Sequence, residues 1–412
     1  MHSEQLGEGN SAAAVLRALH RHTQLAGTAP PAAITGSWFG SRAIIAPTVT
    51  IAPTDQPFGS STPVRTDSEF VGGGWFGYLS YPDPTADGRY GPLPAAVSGY
   101  SPSVLRLDTD NCWWFESLDG STCPSWVRDA VTADFPSRRW TCSWTRPDQF
   151  QHHKGVESCL AAIRDGEVYQ ACVCGFFTGS FSGNPLDFYA DAITQTSPGR
   201  AAFLSGDWGS VASLSPELFL ARHGNTVTSS PIKGTLPIAE DPLKLRQSIK
   251  DVAENVMIVD LVRNDLGRLA RPGSVNVTDL LGVYPAPGVW HLVSTVQAEI
   301  DSHIPVSELL DAMFPPASVT GTPKQRARTY LQEWEPEPRG IYCGTIGFHS
   351  PATGLELNVA IRTVEFSPPD AGEHQCRLGV GGGITIDSQP ETEWRECLAK
   401  ASSIVGLRSA TR

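Results

Sequence analysis

The sequence predicts a mixed α+β fold with antiparallel strands, and three observations carry that expectation. The 39 glycines and 33 prolines among 412 residues imply many turns, more than a helical protein needs. Residues 201–231 form short β-prone runs split by Gly206, Gly209 and Gly224, the pattern of antiparallel hairpins. From Pro242 to Leu269 the spacing changes: Leu245, Ile249, Val252, Val256 and Val259 recur every three or four residues, as in an amphipathic helix.

Taken in order, Ala12 to Leu19 has a helical pattern, and Ala43 to Ile51 reads as extended chain. The run Gly72-Gly73-Gly74-Trp75-Phe76-Gly77-Tyr78-Leu79-Ser80-Tyr81 sets aromatics among glycines, where a sheet bends or backbones approach closely. Residues 82–102 are rich in proline and glycine and read as a loop. The polar stretch Gln149 to Lys154 divides the chain into an N-terminal subdomain, 1–149, and a larger C-terminal region, 150–412. A helix over 154–164 and a strand over 166–173 follow. Further strands are expected around Cys343 to Phe348, Glu356 to Phe366 and Cys376 to Gly381. A terminal helix then starts at Ser388 and Pro390, a cap and first-turn pair.

A net charge of -12 excludes sequence-independent binding to nucleic acid or to an anionic membrane, which needs clustered Lys and Arg. The first residues lack the basic flank and apolar core of a signal peptide. No apolar span approaches the roughly 20 residues that cross a bilayer, so a cytoplasmic protein is expected. Nine cysteines form no Cys-x-x-Cys pair and read as reduced, buried thiols.

Chemistry concentrates in a few places. Lys233 stands between Pro231-Ile232 and Gly234-Thr235, at a constrained strand end where an amine would be held as a nucleophile is held; a solvated charge is the plain alternative. Asp251 and Glu254 lie three apart on one predicted helix, and Glu393 and Glu396 lie three apart on another. Such pairs are commonly solvated faces, and Glu396 has Lys400 four residues on. Two of them facing each other would clamp a hard divalent cation. Gly381-Gly382-Gly383 offers backbone N–H groups to an anion or simply makes a tight turn. Arg362 reads as a lone cation in a hydrophobic strand, free for a ligand or paired with an acidic neighbour. No nucleotide-binding glycine loop occurs.

These residues fall within a set of motifs in fixed order. They are Ser213-Leu214-Ser215-Pro216-Glu217, Pro231-Ile232-Lys233-Gly234-Thr235, Ala253-Glu254-Asn255 leading into Asp260-Leu261-Val262-Arg263-Asn264-Asp265-Leu266, His291-Leu292-Val293-Ser294, Ser318-Val319-Thr320-Gly321-Thr322-Pro323-Lys324, Ile361-Arg362-Thr363 and Gly381-Gly382-Gly383-Ile384. Over about residues 150–405 the set resembles the chorismate-utilising enzymes. Within them it resembles the component I branch of the aminodeoxychorismate synthases, whose pattern carries lysine in Pro-Ile-Lys-Gly-Thr. Anthranilate synthase component I, the nearest alternative, carries alanine there. Isochorismate and salicylate synthases place a water-activating lysine where this chain has Gln170. Thr322 departs from the alanine of the common pattern, and the N-terminal segment lacks a clear match to the family's tryptophan-binding elements.

The resemblance implies two stacked antiparallel β-sheets surrounded by helices, with the active site between the sheets. It implies that Glu254 and Glu396 coordinate Mg2+, which binds the ring carboxylate of chorismate, with Asp251 and Glu393 supporting them from behind. Tyr342 and Arg362 would hold the enolpyruvyl carboxylate, Ser318 and the amides of Gly381, Gly382 and Gly383 the ring carboxylate, with His291 nearby. Lys233 would be the nucleophile at C2 and Glu217 the general acid and base at the C4 hydroxyl, giving 4-amino-4-deoxychorismate. The chain carries no glutaminase nucleophile elbow, so ammonia is expected from a separate glutamine amidotransferase subunit. The alternative outside catalysis is a chorismate-binding regulatory subunit.

Overall fold

The computed structural model describes residues 1–59, 70–83, 88 and 90–410. Among them the chain forms two antiparallel sheets, of twelve and ten strands, stacked on one another with helices on both outer faces. Through its middle the larger sheet runs Ala32–Trp38, Arg200–Gly206, Gly209–Ser215, Thr363–Phe366, Glu373–Ile384 and Gln170–Ser182. The smaller runs Ile232–Pro237, Val289–Glu299, Thr226–Ser230, Leu218–His223, Gly354–Val359, Thr345–Ser350 and Gly74–Leu79.

Strand alternation explains the layering. Along Arg200–Gly206, Ala202 and Leu204 join Tyr78, Ile346 and Phe348 in the core between the sheets, while Ala201 and Phe203 pack outward against helices. A strand buried on both faces reads as a continuous apolar run. The helix Ile249–Gly267 covers the outer face of the smaller sheet with Ile258, Val259, Val262 and Leu266. The helix Pro390–Val405 covers the larger sheet with Cys397, Ala401 and Ile404. The expected division at 149/150 is not a gap in packing, because both sheets mix strands from either side of it: Ala32–Trp38 pairs with Arg200–Gly206, and Gly74–Leu79 with Thr345–Ser350.

Two of the short segments that carry the chain from one sheet to the other hold residues of the site. Gly209–Ser215 belongs to the larger sheet and Leu218–His223 to the smaller, so Pro216 and Glu217 form one crossing. Gly354–Val359 belongs to the smaller sheet and Thr363–Phe366 to the larger, so residues 360–362 form the other. Arg362 therefore sits in a crossing and not, as expected, within one strand, and its φ of 52° lies in the left-handed region that non-glycine residues seldom adopt. The apolar run from Leu355 to Phe366 hides the change of sheet because both flanking strands are buried.

Other boundaries also move. The first helix continues to Ala26 and ends at Gly27, whose φ of 63° suits a helix terminus. The stretch Gln149–Lys154 is helical rather than a linker, because Asp148 caps it by accepting from the N–H groups of Phe150 and Gln151. The strand expected from residue 166 starts at Gln170. Ser248 divides the long amphipathic helix into Leu243–Gln247 and Ile249–Gly267, its hydroxyl accepting from Asp251 N–H and capping the second. Ser388 does not cap the terminal helix: its hydroxyl accepts from Thr385 N–H, and Gln389 precedes Pro390 without a side-chain cap. Within 82–102, Ala96–Ser101 is a strand, while residues 84–87 and 89 lie outside the described residues.

Several motif residues serve the fold. Lys324 donates to Asp265 Oδ2 (2.6 Å) and to Met313 carbonyl (2.9 Å), joining the Thr-Pro-Lys segment to the helix Ile249–Gly267. Ser294 hydroxyl donates to Asn255 Oδ1 (2.5 Å), fixing that helix to the strand Val289–Glu299. Lys324→Met leaves Asp265 buried without its partner and is expected to cost about 3 kcal/mol in urea unfolding. Adding Asp265→Leu is expected to recover most of the loss, and a Lys324→Met protein as stable as wild type would contradict the assigned role.

Candidate active site

The crossings and the strand Ile232–Pro237 bring the first group of side chains together. Glu217, 3% exposed, has its backbone N–H bonded to Ser215 hydroxyl (3.1 Å), and its Oε1 accepts from Ile232 N–H (3.4 Å). Lys233 therefore follows a residue tied to Glu217, and its Nζ donates to the carbonyl of Ser318 (2.7 Å). Burial raises the pKa of Glu217, opposed by a hydrogen bond from Ser318 hydroxyl and by the charge of Lys233. A carboxyl so placed is poised to hold a proton and release it. Gly234, at φ 93°, lies against Asp251, where a Cβ would come within 3.1 Å of that side chain. Glycine there lets the lysine strand lie directly on the acidic helix.

The second group lies between the helices Ile249–Gly267 and Pro390–Val405. Glu254 is 7% exposed and Glu393 2%. Lys250 Nζ stands between them, donating to Glu393 Oε1 (2.8 Å) and lying 3.9 Å from Glu254 Oε1. Burial raises the pKa of Glu254 against the charges of Lys233 and Lys250. Glu396 is more open and pairs with Lys400 Nζ (2.7 Å), the plain alternative raised by their spacing. Burial acts to raise the Glu396 pKa too, but Lys400 outweighs it and holds the group below its usual value. Lys400 also donates to Gly381 carbonyl (3.1 Å).

Gly381, Gly382 and Gly383 lie in the strand Glu373–Ile384, opposite Cys174, Val173 and Cys172, so the run is not a turn. Beyond Leu378 this strand has no described strand partner on its other side, which leaves backbone groups there without a ladder, Gly381 carbonyl being taken by Lys400. A Cβ on Gly381 would collide with Cys174 Sγ (2.6 Å) and Val173 carbonyl (2.7 Å), and the next two glycines lie against polar side chains. A Cβ on Gly383 would lie 2.7 Å from Gln170 Nε2 and 3.2 Å from Glu254 Oε2, and one on Gly382 would lie 3.4 Å from Glu393 Oε2. Gln170 is fully buried, and neither of its side-chain polar atoms has a hydrogen-bond partner among the described residues. Unpaired amide groups at such depth mark a place built for a ligand or water.

The third group is His291 and Arg362. They share the wall of a cleft of about 560 Å3 with Ile232 and Pro216. Thr235 hydroxyl bonds His291 Nδ1 (3.0 Å), while the buried Nε2 has no partner. Burial, then the charge of Arg362, pushes the His291 pKa down to about 4. Arg362 has no ion pair among the described residues, and burial lowers its pKa. An unpaired guanidinium beside a neutral imidazole suits an anionic ligand. Tyr342 is buried with Cys174 and Cys343, its ring against Gly379, where a Cβ would collide with it.

The sequence-selected residues therefore fall into linked clusters: Glu217, Lys233 and Ser318; Asp251, Glu254, Glu393 and Glu396 around the glycine strand; His291 and Arg362 on the cleft wall. Lys250 escaped sequence reasoning, and Thr235 stood in a motif without a role of its own. The four-residue interval from Lys250 to Glu254 was the available signal, but the same interval occurs on any solvated helix. Among the described residues no three His, Cys, Asp or Glu side chains converge as a metal centre. The donor set still fits a hard cation, since an ammonium bridges Glu254 and Glu393 and Glu393 Oε2 is buried without a partner.

The family described as chorismate binding enzyme matches residues 65–406. The chain is 37% identical over 296 residues to aminodeoxychorismate synthase component 1 of Klebsiella aerogenes, covering 70% of this chain and 62% of that protein. It is 38% identical over 273 residues to the Escherichia coli K12 protein of the same name, covering 65% and 58%. These matches span less than two thirds of either relative's own length. Among solved structures, anthranilate synthase component I from Streptococcus pneumoniae superposes with a TM-score of 0.68 at 25% identity, covering 82% of each chain.

The low pKa of His291 makes a direct prediction. Its imidazole should remain neutral throughout pH 5 to 8 and show no titration near the ordinary value of about 6.5 in NMR. Because the unfolded chain takes up a proton there and the folded one does not, this residue's contribution to stability should fall as pH drops from about 6.5 toward 4. A His291 signal titrating near 6.5 would contradict its burial beside Arg362.

Proposed function

The chain belongs to the chorismate-binding enzymes, and from that membership we propose that it is component I of an aminodeoxychorismate synthase, aminating chorismate at C4 with ammonia. The observation that carries the reading is Lys233: a lysine in Pro-Ile-Lys-Gly-Thr, tied through Ile232 N–H to buried Glu217 and resting on Ser318.

In this reading the dicarboxylate substrate enters the space between the sheets. Arg362, with Tyr342, holds its enolpyruvyl carboxylate, and the open backbone of Gly381 to Gly383, with Ser318, receives its ring carboxylate near His291. Magnesium, held by Glu254 and Glu396 with Asp251 and Glu393 behind them, would supply Lewis-acid stabilisation of the ring carboxylate. Lys233, deprotonated and released from Ser318 carbonyl, adds its Nζ to C2 while Glu217 gives its proton to the C4 hydroxyl, which leaves as water. Ammonia then bonds to C4 and the C2–Nζ bond breaks. Glu217 accepts the proton that ammonia sheds, and Lys233 is free again. The sum is chorismate plus ammonia to 4-amino-4-deoxychorismate plus water, with the enolpyruvyl group retained. Burial of Glu217 supports this role, because a raised pKa favours the protonated acid that the first step needs. Gln170, where related enzymes that add water carry lysine, leaves water unactivated. The ammonia would come from a separate glutamine amidotransferase subunit, and the setting would be the cytoplasm.

Three experiments test the proposal. Wild type given chorismate, Mg2+ and ammonium should form 4-amino-4-deoxychorismate, identified by mass spectrometry, but glutamine should not replace ammonium without a partner subunit. Lys233→Ala should lower that rate by at least about a thousandfold and abolish any substrate-linked peptide, since a covalent route is removed. An unchanged rate in the variant would sink the nucleophile assignment, and anthranilate as the wild-type product would sink the reaction itself. Glu254→Gln and Glu396→Gln should each cut turnover at limiting Mg2+ by more than about tenfold. Wild-type activity in both would exclude the proposed metal ligands.

A further inference from the structure

Lys250 joins the two acidic helices, and the reaction above gives it no task. It lies on the first turn of Ile249–Gly267, and its ammonium reaches 143 residues along the chain to Glu393. Its position is that of a cation among carboxylates: 2.8 Å from Glu393 Oε1 and 3.9 Å from Glu254 Oε1. Both carboxylates keep unused coordinating capacity. Glu393 Oε2 is buried without a partner, facing Gly382, and Glu254 accepts no hydrogen bond among the described residues.

We infer that Lys250 is a tethered cation that fills the gap between Glu254 and Glu393 in the metal-free enzyme and is displaced when a divalent cation binds. The inference rests on the metal reading for Glu254 and Glu396. An ammonium offsets the carboxylates' mutual repulsion and so stabilises the closely packed helices without metal. A divalent ion bound at Glu254 would meet that ammonium at short range, and like charges so near repel strongly in a partly buried site. Lys250 has somewhere to go, since its side chain is 35% exposed on a flexible stem. Lys400 is placed differently. It pairs with Glu396 on its own helix and is also anchored to Gly381 carbonyl, a second bond that Lys250 lacks. Metal binding then exchanges one cation for another beside Glu254 and opens the Lys250–Glu393 ion pair between helices.

The test is binding of Mn2+ alone, without substrate, followed by paramagnetic resonance of the free ion and by calorimetry. Wild type, Lys250→Met and Lys250→Gln, which remove the charge, and Lys250→Arg, which keeps it, are compared. The two neutral variants should bind Mn2+ at least about tenfold more tightly than wild type, and Lys250→Arg should stay within about threefold of it. Metal-free Lys250→Met should also melt below wild type, with the difference narrowing or reversing once Mn2+ is saturating. Unchanged or weaker Mn2+ binding in both neutral variants overturns the displacement and leaves the metal reading standing. Absence of Mn2+ binding in all four proteins overturns both.

Discussion

The crossings at Pro216–Glu217 and at residues 360–362 are each bonded to the strand end that leads into the other, and the site depends on that contact. Leu214 N–H donates to Arg362 carbonyl (2.9 Å), and Val359 N–H donates to Glu217 carbonyl (3.1 Å). Ser213, Asn358 and Thr363 brace the same region: Asn358 Nδ2 and Thr363 hydroxyl both donate to Ser213 hydroxyl (3.2 and 2.9 Å). A chain that remained in one sheet would alternate its side chains between the core and a helix-covered face, both of them largely apolar. Where it changes sheets, a carboxyl and a guanidinium leave that alternation while the neighbouring backbones stay paired. The left-handed conformation of Arg362 is a local cost of that arrangement, supported by the surrounding bonds.

Charge inside the site is balanced in a way that the net charge of the chain does not suggest. Glu217, Glu254, Glu393 and Glu396 face Lys233, Lys250 and Lys400, and Arg362 stands apart beside a neutral histidine. Buried carboxylates need such partners, because desolvation would otherwise neutralise them. The cations are anchored to different degrees. Lys400 is bonded to both a carboxylate and a backbone carbonyl, Lys233 to a carbonyl alone, and Lys250 to a carboxylate across a helix interface. A nucleophile should be the least encumbered by carboxylates, and Lys233 is the one without a carboxylate hydrogen bond.

Much of this was legible in the sequence, for reasons that can be separated. The antiparallel α+β class followed from glycine-split strands and one amphipathic helix. Lys233, Glu217, Glu254 and Arg362 stood out because motifs in fixed order carried them. What remained hidden depended on contacts distant in sequence. Lys250 lies four residues from Glu254, an interval that reads as an ordinary surface pair, whereas its hydrogen bond is to Glu393 on another helix. The crossing at Arg362 was read as strand because hydrophobicity continues through it. Ser388 had the composition of a cap, but its hydroxyl was already committed to Thr385 N–H. Gln149 to Lys154 reads as a junction from its polarity, yet local polarity says little once a cap such as Asp148 starts a helix.

The glycine strand shows why the sheet and the acidic helices must be considered together. Substituting Gly382 or Gly383 would bring a Cβ close to Glu393, Gln170 or Glu254, so the absence of side chains brings carboxylates against backbone that is also open on its far edge. Exposed N–H groups favour an anion, whereas carboxylates favour a cation. A site presenting both within a few ångströms is suited to an anion and a cation bound together, each reducing the desolvation cost of the other. Chorismate with a divalent ion has that character, and neither sheet nor helix alone would provide it. The strand supplies the donors, the helices supply the carboxylates, and residues without a Cβ allow the two surfaces to meet.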